Sequence, residues 1–166
     1  MIQRLRWMVV ICCLAASQAL AATPKALTAQ VERLAALLSD GFAVGYPGAT
    51  QTQVLSRHGQ ETTTLAVFTV EGFGGGNNFR QYLAAFSSDE AADKPYYSLL
   101  DVIPIGAGGW RSIVGLQAKV TGRAKQGGVL FTMPIMENLS DDAVNFPSKK
   151  ASIRLLLENG RLRELK

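Results

Sequence analysis

Apolar residues recur at two different periods along this chain, and the change falls near Gly41. Before it, in "TAQVERLAALLSDG" (28–41), Val31, Leu34, Ala35 and Leu38 stand at i, i+3, i+4 and i+7, which places them on one face of a helix. Thr28 is suited to cap its start, and Gly41 can take the left-handed conformation that ends it. After Gly41, β-branched and aromatic runs alternate with clusters of Gly, Asn, Pro and Asp. The pattern predicts strands over 51–58, 62–71, 79–88, 96–105, 110–121, 129–136, 151–158 and 161–165. Most gaps between them are short, which calls for antiparallel hairpins, because parallel neighbours need long crossovers.

The alternation is cleanest in "WRSIVGLQAKVTG". Trp110, Ser112, Val114, Leu116, Ala118 and Val120 form the dry face, and Arg111, Ile113, Gly115, Gln117, Lys119 and Thr121 a mostly wet one. Asn159-Gly160 marks a two-residue hairpin. By contrast, 65–70, 82–86 and 98–105 carry apolar residues on both faces and need cover on both. The expectation is an α+β, mainly β fold. One N-terminal helix packs on a roughly seven- to eight-stranded antiparallel meander, strongly curved around the helix or closed into a barrel.

The first 22 residues stand apart. Arg4 and Arg6 precede the short apolar run "WMVVICCLAA", and "ALA" at 19–21 is followed by Ala22, the layout of a cleaved signal peptide. The expected division is a leader over 1–22 and a single globular domain over 23–166, soluble, periplasmic or secreted, and not stably inserted in a membrane after cleavage. Both cysteines, Cys12 and Cys13, lie in the leader, so residues 23–166 hold no disulfide and no thiolate site. Without Arg4 and Arg6, the 17 basic residues fall to 15 against 13 acidic ones, and the net charge from +4 to +2. No basic tract interleaved with aromatics remains, which argues against a nucleic-acid partner.

Little chemistry assembles from the residues. "VEGFGGGNNFRQYLAAF" (70–86) has the glycines of a phosphate loop but not its context. A strand rather than a helix follows, Asn77 stands where a dinucleotide fingerprint needs glycine, and no Lys-Ser or Lys-Thr pair follows. It reads as a hairpin loop. His58, the one histidine, reads as a turn residue. Asp101, within "LLDVIP", is expected to pair with Arg111 or Lys119 on the next strand. The longest connection, "MENLSDDAVNFPSKK" (136–150), lacks calcium-loop spacing but has the length of a contact loop.

No catalytic, cofactor or metal residue is therefore nominated. The candidate partner contacts are Phe73, Asn77 and Asn78 in one loop and Asp141, Asp142 and Phe146 in the other. The residues favour an exported, non-enzymatic binding protein that contacts a partner protein through hairpin loops. Two rivals are a carrier of a small apolar ligand inside the sheet and a hydrolase built on carboxylates, with Asp101 and the 137–142 cluster as its candidates.

Overall fold

The computed structural model describes residues 23–58, 61–89, 96–125 and 127–166. The expected leader, with Cys12 and Cys13, lies outside them. Helix α1 (Lys25–Leu38) precedes ten strands: β1 (Val44–Gly45), β2 (Gln51–His58), β3 (Glu61–Glu71), β4 (Phe79–Asp89), β5 (Ser98–Ala107), β6 (Arg111–Ser112), β7 (Lys119–Arg123), β8 (Val129–Glu137), β9 (Lys149–Glu158) and β10 (Arg161–Leu165). All pairings are antiparallel. β1 and β2 lie end to end along one edge of β3, and β6 and β7 likewise along β8. The order from edge to edge is β1 with β2, then β3, β4, β5, β6 with β7, β8, β9 and β10. The sheet is not closed into a barrel. No helix among the described residues is long and apolar enough to cross a membrane.

The helix begins three residues before the expected start. Pro24 precedes it with φ −57°, close to a helical value, so its ring presets the entry. Thr28 caps nothing. It lies inside the first turn, and its hydroxyl donates to the Pro24 carbonyl at 3.3 Å. At the other end the helix stops at Leu38, with Ser39 extended, and Asp40 rather than Gly41 organises the exit.

Leu27, Val31, Leu34 and Ala35 are buried against Ala66, Phe68, Val70, Tyr82, Ala84 and Phe86 on one face of β3 and β4. Leu65, Val67, Leu83 and Ala85 on the opposite face join Phe131, Met133, Ile135, Ile153, Leu155 and Leu162 from β8 to β10 in a second core. The two-sided apolarity of β3 and β4 is thus explained. The helix covers one face, and the second half of the sheet covers the other. β8 has one buried face and alternates, whereas β9 alternates only as far as Leu155 and then buries Leu155, Leu156 and Leu157 in succession.

Two seams join the half-sheets, and side chains lace both. Between β5 and β10, the Asp101 carboxylate accepts the Leu162 amide at 2.9 Å and pairs with Arg161 at 3.5 Å. The Arg111 guanidinium donates to the Ile105 carbonyl at 2.8 Å and grips Glu164 with two bonds of 2.8 and 2.6 Å. This corrects the expected Asp101 pairing. Its partners come from β10, because the second half-sheet returns alongside β5 and brings its last strand there.

On the opposite side, three glutamines hold the segment 113–118 by its backbone. Gln81 accepts from the Ile113 amide at 2.7 Å and donates to its carbonyl at 3.1 Å. Gln53 does the same to Ala118, both bonds at 2.7 Å. Gln51 bridges the Val114 carbonyl and the Leu116 amide. The expected single strand 110–121 is therefore two short strands separated by a strap. The predicted faces also fail there. Arg111 and Ile113 are buried, whereas Val114 and Val120 are exposed. Gly106 permits the close approach, because a Cβ on it would lie 2.7 Å from the Arg111 carbonyl oxygen and 2.9 Å from Gln81 Oε1.

Candidate functional site

Residues 72–78 form the loop of the β3–β4 hairpin, with Glu71 opposite Phe79. Gly72, Gly74 and Gly75 all take positive φ, at 93°, 65° and 75°, which explains why glycines crowd here. The Gly72 amide donates to the Asn78 carbonyl at 2.9 Å. Asp40 ties this loop to the segment after α1. One carboxylate oxygen accepts the Gly74 amide at 2.8 Å, and the other accepts the amides of Phe42 and Ala43 at 2.9 and 2.8 Å. These amides, Gly74's foremost, hold the Asp40 carboxyl below its ordinary value.

The 138–148 connection reaches the same end of the molecule. The Asn145 amide group donates to the Asn77 carbonyl at 3.1 Å, the Gly109 amide to the Val144 carbonyl at 2.6 Å, and the Asn138 amide to the Trp110 carbonyl at 2.9 Å. Asp142 works inside its own loop. It accepts the amides of Leu139 at 2.8 Å and Ser148 at 2.9 Å, and the Leu139 bond above all lowers its pKa. The two loops nominated from the sequence are therefore neighbours, joined through Asn145 and Asn77.

Of the six nominated residues, Asn77, Asn78, Asp141 and Phe146 are exposed, and Asp142 is turned to its own loop's amides. Phe73 is half-buried against the α1 core, with the Arg80 guanidinium 4.5 Å above its ring. What sequence reasoning missed is the apolar surface around them. Phe42 is 70 % exposed, Tyr46 48 % and Trp110 46 %, and Val44, Leu139 and Val144 are exposed as well, alongside the nominated Phe146 at 75 %. Trp110 rests on the Arg111 guanidinium, 3.9 Å from the ring centre, which fixes its orientation. The signal for Phe42 and Tyr46 was present in "GFAVGYPG", where large apolar residues sit among glycines. Trp110 carried none, because alternation assigned it to a dry strand face.

Next to these loops a groove of about 470 Å³ opens between α1 and residues 43–47, lined by Glu32, Ala36, Asp40, Val44 and Pro47 among others. Four carboxylates elsewhere are engaged in ion pairs: Asp101 with Arg161, Glu137 with Lys149, Glu158 with Arg163 and Glu164 with Arg111. Among the described residues no group of three His, Cys, Asp or Glu side chains is placed to hold a metal ion. No protein-family model matches this chain, and neither a curated protein nor a solved structure matches it.

Proposed function

We propose that this chain is an exported, non-enzymatic interaction protein that docks a partner protein through the loop end built from residues 40–46, 72–78, 108–110 and 138–148. One observation carries this reading: Phe42, Tyr46, Trp110 and Phe146, four large aromatic side chains, are exposed on three loops that hydrogen bonds link at one end of the sheet. Aromatic anchors of this kind supply most of the energy of protein interfaces, and exposed apolar clusters on a folded domain mark such sites. Asn77, Asn78 and Asp141 give the cluster a polar rim. Export rests on the leader-like residues 1–22.

The support for a carrier has another explanation, since α1 and the second half-sheet take up both apolar faces of β3 and β4. The support for a hydrolase is thin, because Asp101 and Asp142 already bond backbone amides.

Photo-crosslinking in the native host tests the docking reading. A benzophenone amino acid replaces Phe146 in one variant and Arg154, on the outer face of β9, in another. The expected result is a discrete adduct from position 146 that is absent from position 154 and weakened by Phe42→Ser. No adduct from position 146, or the same adduct from 154, refutes it.

A further inference from the structure

The seam between β2 and β7 is laced only where the glutamines act. Beyond Gln53 and Ala118, toward the β7–β8 turn, the two strands do not pair with each other. β7 pairs with β8 along one edge, and its other edge carries no strand among the described residues. Unlike the strand beside it, β7 has no buried residue. Lys119, Val120, Thr121 and Arg123 are all exposed. A register shift between Val120 and Gly122 leaves Thr121 without a partner residue in β8. The strand is thus extended and presented, with backbone groups available on its free side.

Free edges invite further strands, and proteins commonly guard them with lysine and bulges. The guard here has a sign. Lys119 and Arg123 flank Val120, Lys125 follows, and none of the three has an ion-pair partner among the described residues. His58 is exposed at the end of β2, with Glu61 opposite it as the acidic residue of that turn. Such an edge repels a basic strand and strands an apolar one beside unpaired cations, but it complements an acidic one.

We propose that the free edge of β7 takes an extended acidic segment of another protein by strand addition. Main-chain bonds to β7 supply the pairing. The register shift sets Lys119 on the face of Thr132 and Arg123 on that of Val129, so the two cations neutralise acidic side chains three positions apart, on opposite faces of the added strand, and Val120 contacts an apolar residue on Arg123's face. This surface is separate from the aromatic loop end, so the two proposals stand or fall independently.

The test is fluorescence anisotropy on the full chain without its leader, with three labelled probes. One is an octapeptide of Glu and Val with Glu at every third position, the offset of Lys119 and Arg123. The second is the same peptide N-methylated on alternate amides, prepared in both registers. The third carries Lys in place of each Glu. The Glu-Val peptide should bind, the Lys-Val peptide should not, and N-methylation in at least one register should weaken binding at least about tenfold, because it removes the ladder but keeps the charge. The exposed double variant Lys119→Glu, Arg123→Glu should weaken the Glu-Val peptide by a similar factor while keeping the circular dichroism of the parent. No binding of the Glu-Val peptide up to about 1 mM overturns the proposal. So does equal binding of both N-methylated forms, which would reveal charge attraction alone. An unaltered affinity in the double variant overturns the acidic class.

Discussion

Asp40 illustrates how much one side chain organises here. Its two oxygens take three backbone amides from two segments, those of Phe42, Ala43 and Gly74. Asp40→Ala should therefore loosen both segments together, read as faster hydrogen exchange at Phe42, Ala43 and Gly74. The pH dependence follows from the direction of the shift. Asp40, Asp142 and Glu164 all have carboxyls held below their ordinary values of 3.8, 3.8 and 4.5. A carboxylate depressed in the folded state contributes stability above its unfolded value, and loses it as pH falls through the folded one. The melting temperature should thus be insensitive to these groups near neutrality and decline below about pH 4.5. Asp40→Ala should flatten that decline, and an unchanged acid slope would show that the three amide bonds do not persist in solution. None of these partnerships was readable beforehand. Asp40 looked like an ordinary residue before a helix-ending glycine, and Arg111 like the wet face of a strand. The partner of each lies in another element, Gly74 for Asp40 and Glu164 for Arg111, and only the path of the sheet brings them together.

At the scale of elements, the strands were legible wherever a ladder decides the conformation. β2 spans Gln51–His58 and β10 Arg161–Leu165, where the alternation placed them, because local pattern and pairing agree. The pattern failed at 110–121 for a physical reason. Residues 113–118 find their backbone partners in glutamine side chains 32 to 65 positions away, so strand-like alternation there meets no strand. A clue existed: Gln51 and Gln53 alternate with Thr52 and Val54 on the face that Leu55 buries, an odd place for polar groups. Gln81→Ala should cost about 1–3 kcal/mol, since it leaves the Ile113 amide and carbonyl without their partner in a half-buried site. Chemical denaturation measures the loss, and hydrogen exchange should quicken over 113–118 while α1 is unaffected. Equal exchange in the strap would mean that the burial of Ile113 and Ala118, not the glutamine, holds it.

The molecule as a whole is a helix and two half-sheets in which one sheet serves both cores. The need for cover on both faces of β3 and β4 was readable from their apolarity. What supplied the second cover was not, because it depends on how the strands after Trp110 turn back. The half-sheets meet at two seams with different chemistry, one of neutral carboxamides to backbone and one of charged pairs. They share no residue: Gln51, Gln53 and Gln81 serve one, and Asp101, Arg111, Arg161 and Glu164 the other. The two sets approach each other at Gly106, where a Cβ would meet both the Arg111 carbonyl oxygen and Gln81 Oε1, but Gln53 and Glu164 bond to different segments and share no partner. Networks separated in this way act additively, with deviations within about 0.5 kcal/mol. The stability losses of Gln53→Ala and Glu164→Ala should then sum in the double variant, as read by urea denaturation. Salt should erode the loss at Glu164 and leave that at Gln53 unchanged, because only the first involves formal charge. A coupling above about 1 kcal/mol would mean that opening one seam opens the other. The half-sheets would then move as leaves about the shared core, and the free edge of β7 would be exposed to different extents in the two states.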